Sequence, residues 1–423
     1  MPRIDLAYGR HGMSVELATS ADVIEPRFVP GLADEVSAIR RALREPTCGP
    51  PLREVVRRGA SVGISVCDVT RPFPGQRVLP ILVEELQSHG AGPITMFIAT
   101  GTHRLCTPAE LDQMLGSDIQ RQCQVVQHDA FDAKSHRQVG TVLDTRTPAL
   151  IESAFLDQDV RITTGFIEPH FFAGFSGGPK MVAPGLAALE TVLDLHSATR
   201  IGHERATWGI TQGNPVHDAV RAIAAQVGVT FNLDVTLNRD HAITNVFAGE
   251  LFASHAAGSI FARATAMAPV PAAYDVVLTT NSGYPLDQNL YQTVKGMSAA
   301  AQIVKAGGSI VVASECSDGV PAHGGYKDLL RDGANPDAFM ARLFEPSFSV
   351  HDQWQVQVQA QIQRKAQVFL KADGLSDTQI RAAWLEPIGD IAECVGARLA
   401  AAGIGARLAV LPQGPQTIPY VAE

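Results

Sequence analysis

Cysteine is scarce in this sequence and is not grouped. Six cysteines, Cys48, Cys67, Cys106, Cys123, Cys316 and Cys394, are spread over 423 residues, and none forms a CxxC pair. That spacing points to neither a structural zinc site nor a disulfide framework. Basic blocks are absent too. Lys and Arg number 34 against 43 Asp and Glu, giving a net charge of −9 with the acids dispersed. A nucleic-acid partner is not expected from such a balance. No apolar run is long enough to span a bilayer, and the opening MPRIDLAYGRHG has no apolar signal core. The expectation is a cytoplasmic protein with reduced thiols and no membrane partner. Internal repeats and low-complexity tracts are lacking as well.

What is present is a large apolar content, 46%, enough for a sizeable core in two or three domains. Short β-branched runs end in turns and lead into helical patterns. SVGISV (61–66), PITMFIA (93–99) and DVRITTG (159–165) read as buried strands. A helix is expected over 78–87, and another opens at TPAE (107–110). There Thr107 is a candidate N-cap, Pro108 fits the first helical position and Glu110 completes a capping box. After the alanine- and proline-rich stretch 268–274, VVLTT (276–280), SIVVAS (309–314) and AQVFLK (366–371) repeat the pattern, with helices over 286–301, 353–365 and 388–402. This alternation predicts two α/β domains with mostly parallel sheets and an active-site cleft between them. The expected bounds are 1–267 and 275–400, joined by the linker 268–274.

The unusual residues follow predicted strands, where open α/β sheets bind ligands. In DVTRP (68–72), Arg71 has the planar fork that suits a carboxylate or phosphate, and Asp68 could hold that guanidinium. A plain turn with a local ion pair is an equal alternative. TGTH (100–103) ends in His103, and a lone histidine at a strand end is more often structural than catalytic. EPHFFAGFSGGPKMVAPG (168–185) holds His170 and Lys180. It is a poor Walker motif, because Pro179 precedes the lysine and Met181 follows it. Its glycines could still cradle a phosphate. LDLHS (193–197) puts His196 in an apolar helical setting with no HxxxH or HExxH partner, so a conventional three-ligand metal site has no local support. In GYPLDQNLYQTVKGM (283–297), Gln292 and Lys295 would share a helix face, with Gln288 one turn earlier.

Taken together and in this order, DVTRP, TGTH, EPHFFAGFSGGPK, LDLHS and GYPLDQNLYQTVKG resemble the landmark segments of the nickel-pincer-dependent lactate racemase family. The resemblance covers essentially the whole chain, and the terminal GPQTIPY resembles the family's ending. It implies a nickel-pincer nucleotide, a pyridinium-3-thioamide-5-thiocarboxylic acid mononucleotide carrying nickel, joined to Lys180. Three nickel ligands would come from that group and the fourth from His196, a soft-ligand square plane that suits nickel. The same resemblance makes His103 and His170 the acid and base. It puts Arg71 and Lys295 on the substrate carboxylate, and Gln292, Tyr291 and Trp354 at the substrate pocket. It puts Asp68, Thr70, Gly177 and Gly178 beside the cofactor. It also implies that residues from about 401 to 423 return to the first domain, and that cofactor-making enzymes are maturation partners.

The implied reaction is racemisation of a 2-hydroxy acid by reversible hydride transfer through a 2-keto acid. Lactate is the family's namesake; malate, an aryl lactate or a sugar acid would need few pocket changes. Phe171 and Phe172 could wall an apolar pocket, and Arg104 could serve a second carboxylate or face solvent. Two other classes compete: a zinc-dependent hydrolase, and a nucleotide or nickel-cofactor binding protein without turnover.

Overall fold

The fold is that of a computed structural model describing residues 3–322, 324–345 and 348–422. The chain forms two compact units. The larger comprises Phe28–His196 and His203–Thr265. The smaller comprises the residues up to Arg27, Ser197–Gly202 and those from Ala266 on.

The larger unit is built on a six-stranded sheet. Its order is Ile243–Gly249, Phe231–Leu237, Val160–Phe166, Val62–Cys67, Ile94–Ala99, Gln124–Gln127. All neighbours are parallel except the first pair. Val62–Cys67 is buried along its whole length, as expected of a parallel strand covered on both faces. Alternate side chains divide between two cores, following the period of two along a strand. Val62, Ile64, Val66, Met96 and Ile98 pack with Ile39, Leu43, Leu82 and Leu86 of the helices Glu35–Arg44 and Gly75–Ser88. Phe97 faces the other way and joins Ile151, Phe155, Val192 and Val220. Each such fully buried aliphatic side chain contributes roughly 1.5–3 kcal/mol. The expected capping box at Thr107 and Glu110 is present and starts the helix Pro108–Leu115.

From Val62–Cys67 the chain adds two strands on one side, then Val160–Phe166 on the other. That reversal makes a switch point, and the crevice beyond the carboxyl ends of these two strands is where such sheets bind ligands.

The smaller unit repeats the plan with Glu386–Pro387, Gln367–Lys371, Val304–Ala313, Tyr274–Thr280, Leu408–Leu411 and Asp22–Val23, all parallel. Here the expected organisation is corrected. The C-terminal residues belong to the smaller unit. The fully buried Leu408–Leu411 needs ladder partners on both sides, and it finds them in Tyr274–Thr280, with Val276 opposite Leu408, and in Asp22–Val23. Asp22–Val23, which lies within the expected first domain, therefore belongs to this sheet as well. Nor is 268–274 an open linker, because Met267–Val270 pairs in parallel with Ile418–Val421. Among the described residues, no helix is long and apolar enough to cross a membrane.

Candidate functional site

Directly after Val62–Cys67 the chain turns, and the Arg71 amide donates to the Asp68 carbonyl (3.1 Å). This turn presents the buried Asp68 carboxylate to two partners. The Thr70 hydroxyl donates to Oδ1 (2.7 Å), and His103 Nδ1 lies 2.7 Å from Oδ2. A carboxylate can only accept here, so the His103 proton sits on Nδ1 and the lone pair on Nε2. Burial pushes the Asp68 carboxyl up. The His103 hydrogen bond first, then the Arg71 charge and the Thr70 hydroxyl, outweigh it and hold the group below the usual carboxylate range. His103 itself is exposed. Arg71 donates to the Thr70 carbonyl and hydroxyl (3.2 and 3.1 Å). Asp68 therefore orients a histidine directly and reaches the Arg71 guanidinium through the Thr70 hydroxyl and by charge. Arg104 is engaged by both carboxylate oxygens of Glu110 (2.8 and 2.6 Å).

After Val160–Phe166 the chain makes a small hairpin, Pro169–His170 against Gly174–Phe175. Ser176 locks it by donating to the Phe166 carbonyl (2.8 Å) and accepting the Glu168 amide (2.9 Å). His170 is buried between aromatic rings, 5.0 Å from Phe171 and 4.5 Å from Phe172. Its Nδ1 accepts the amides of Phe172 and Ala173 (3.5 and 3.3 Å), which puts the ring proton on Nε2. Phe172 also stands edge-on to His196 (5.2 Å), and the Lys180 ammonium lies 5.7 Å from its ring centroid. One phenyl ring thus gathers His170, Lys180 and His196. His196 ends the helix Leu189–Leu195, and its Nδ1 donates to the Val192 carbonyl (2.8 Å). That leaves the lone pair on Nε2, the arrangement common in metal-ligating histidines.

The glycine turn before Lys180 is held by a residue that the sequence reading missed. Asp234, fully buried in Phe231–Leu237, accepts the Gly178 amide on Oδ2 (3.0 Å) and the Asn232 carboxamide (3.0 Å). Burial pushes its carboxyl up to about 6, against those two hydrogen bonds. The Gly178 amide is given to this carboxylate, and the residue meets a demand of space and conformation at the turn. Its φ is +50°, and a Cβ would lie 2.4 Å from the His255 ring. The signal available in the sequence was a single acid in an apolar strand, FNLDVTL. His255 and His217 stack behind the turn, 5.9 Å apart. Burial first, then neighbouring positive charge, lowers them to about 4 and about 3. Both are neutral near pH 7, and His255 Nε2 donates to the Ser176 carbonyl (2.9 Å).

The remaining expected residues belong to the smaller unit. The helix Leu290–Ala301 starts at Asn289, whose side chain caps the Gln292 amide (3.0 Å), so Gln288 precedes the helix. Gln292 and Lys295 are half-buried and share a face. Trp354 is buried in the helix Gln353–Lys365, and its Nε1 donates to the Tyr291 hydroxyl (3.3 Å). The Gln355 carboxamide holds the Tyr291 carbonyl (2.5 Å).

Comparison with known proteins matches both halves of the chain. Residues 8–209 match the family model for the lactate racemase N-terminal domain, and residues 270–418 the one for the lactate racemase C-terminal domain. Lactate racemase of Thermoanaerobacterium thermosaccharolyticum is 30% identical over 99% of each chain. That of Lactiplantibacillus plantarum is 33% identical over 90% of each. The solved structure of the lactate racemase apoprotein from T. thermosaccharolyticum covers 99% of this chain and 100% of its own, with a TM-score of 0.92 at 29% identity.

Proposed function

This chain belongs to the lactate racemase family and is an isomerase, and we propose from that premise that it racemises a short 2-hydroxy monocarboxylic acid, lactate foremost, using a nickel-pincer nucleotide tethered to Lys180. The observation that carries the reading is the grouping of His170, Lys180 and His196 around Phe172. It gives a nucleophilic amine for attachment, a nitrogen for a metal and a second titratable ring beside both.

The donor set fits such a group. His196 has its Nδ1 proton committed to the Val192 carbonyl, so Nε2 suits nickel. Such a group would supply sulfur and carbon donors of its own and would need only that one protein ligand. When bound, the chemistry the group supplies is acceptance and return of the α-hydrogen as hydride. Everything else falls to side chains. His103 takes the substrate hydroxyl proton on Nε2, and Asp68, bound to Nδ1, stabilises the imidazolium that results. His170 has the matching role for the opposite enantiomer, with Nε2 as the nitrogen that meets the substrate oxygen and the amides on Nδ1 holding the ring in place. Arg71 and Lys295 hold the carboxylate while the planar keto acid turns its other face, with Gln292 and Tyr291 supporting. The engagement of Arg104 by Glu110 favours a monocarboxylate over malate.

The test is a panel of single-enantiomer 2-hydroxy acids, followed by optical rotation, with protein made alongside the cofactor-making enzymes. Lactate should lose rotation. His103→Asn and His170→Asn should each lower that rate about 10²- to 10⁴-fold with the cofactor still attached. Loss of neither rate, or no turnover of any acid by loaded protein, would overturn the reading.

A further inference from the structure

Three side chains that this chemistry leaves unused meet elsewhere in the larger unit. His128, His136 and Glu152 each turn one ligand atom toward the others, all within 4.8 Å. His128 stands one residue beyond the strand Gln124–Gln127. His136 and Glu152 are register partners in the antiparallel pair His136–Thr141 and Pro148–Glu152. His128 and Glu152 are buried, and His136 keeps partial exposure.

The proton positions are fixed from outside. The Thr100 hydroxyl donates to the His128 carbonyl (2.5 Å), so its oxygen accepts the proton of His128 Nδ1 (3.1 Å). His136 Nδ1 faces the Asp132 carbonyl at 2.9 Å, and that group can only accept. Both neutral rings therefore carry their lone pair on Nε2, yet the two Nε2 atoms lie 2.9 Å apart. Two lone pairs at that distance repel unless a proton, making one ring a donor to the other, or a metal ion stands between them, and the Glu152 carboxylate completes a donor set for a metal ion. Nitrogens bound to zinc at about 2.0–2.1 Å lie roughly 2.9–3.4 Å from one another. Histidines whose Nδ1 donates to a carbonyl or hydroxyl are oriented as metal ligands usually are.

We propose that His128, His136 and Glu152 form a protein-only site for a divalent transition-metal ion of the zinc class, with ligands other than His196. Two imidazoles and a carboxylate are a borderline set suited to zinc, and cobalt, nickel or copper would also enter it. Its place in the fold makes it a brace. The Glu152 amide donates to the Leu186 carbonyl (2.9 Å), and Gly185 donates to the Lys180 carbonyl (3.1 Å). Thr100, which orients His128, precedes Gly101, whose amide donates to the Gly185 carbonyl (3.0 Å). An ion here ties the turn that ends at His103 to the loop that follows Lys180.

The test uses full-length protein made without the cofactor-making enzymes, equilibrated with zinc, desalted and assayed for metal per chain by mass spectrometry. The wild type and His196→Ala should each keep one zinc per chain, whereas His136→Asn and Glu152→Gln should keep none. Thr100→Val should weaken uptake about 10- to 100-fold. No zinc in the wild type, or undiminished zinc in His136→Asn and Glu152→Gln, overturns the proposal. Circular dichroism checks that the variants fold. Zinc-soaked wild-type crystals give a reading that needs no variant. Anomalous density among the three side chains supports the site, and density only elsewhere overturns it.

Discussion

Both units carry a six-stranded sheet with a switch point, and they place different chemistry there. Beyond Val62–Cys67 of the larger unit stands Asp68, bonded to His103 at 2.7 Å. Beyond Tyr274–Thr280 of the smaller stands Asn281, whose side-chain Oδ1 accepts the Gly296 amide at 2.9 Å. That bond brings the helix of Gln292 and Lys295 against the strand end so closely that a Cβ on Gly296 would lie 2.2 Å from the Thr280 carbonyl. On the proposed function, the larger unit would hold the groups that exchange protons, each with a hydrogen bond at its second nitrogen, and the smaller those that bind, set on one helix face. One architecture serves both because its strand ends accept whatever side chain the next turn supplies.

Substitutions can break this contrast. The largest effect belongs to the larger unit: His103→Asn should cost about 10²- to 10⁴-fold in the racemisation rate constant, and Asp68→Asn should cost less while shifting the acid limb of the pH profile. Lys295→Ala, in the smaller unit, should raise KM more than it lowers kcat, since it removes a binding charge. A kcat-dominated loss there would contradict the division of roles.

Stability tests sharpen it further. Gly178→Ala puts a methyl group onto the His255 ring at positive φ, and urea unfolding should show a loss of about 1–3 kcal/mol. His255 titrates near 4 when folded against 6.5 when unfolded, so the unfolded chain binds more protons between these values. Its contribution to stability is therefore full above 6.5 and falls away as pH drops toward 4. Accordingly the stability gap between wild type and His255→Phe should narrow from neutral pH to about pH 5. The smallest effect is Tyr291→Phe, which removes the acceptor of the Trp354 Nε1 hydrogen bond and should cost about 0.5–1.5 kcal/mol by urea unfolding.

Local signals carried much of this into the sequence. The helix Gln353–Lys365 and the Thr107 capping box are readable because their causes lie within one or two turns of chain. Buried parallel strands such as Val62–Cys67 announce themselves as apolar runs. Long-range pairing leaves no such trace. Nothing in LAVL says that Leu408–Leu411 inserts between Tyr274–Thr280 and Asp22–Val23. The same holds for the site. Motif order brought out His103, His170, Lys180 and His196. The partners that fix protons or hold the turn, namely Asp68 for His103 and Asp234 for Gly178, are set by tertiary contacts between distant segments. The His128, His136 and Glu152 cluster was invisible for that reason, its spacing matching no metal motif.

The central claim is that Lys180 is a point of attachment, and intact-protein mass measurement tests it directly. Protein produced with nickel and the cofactor-making enzymes should gain the mass of the pincer nucleotide, and peptide mapping should put it on Lys180. Lys180→Ala should gain nothing and racemise nothing. Active protein with an unmodified Lys180 would contradict the claim outright.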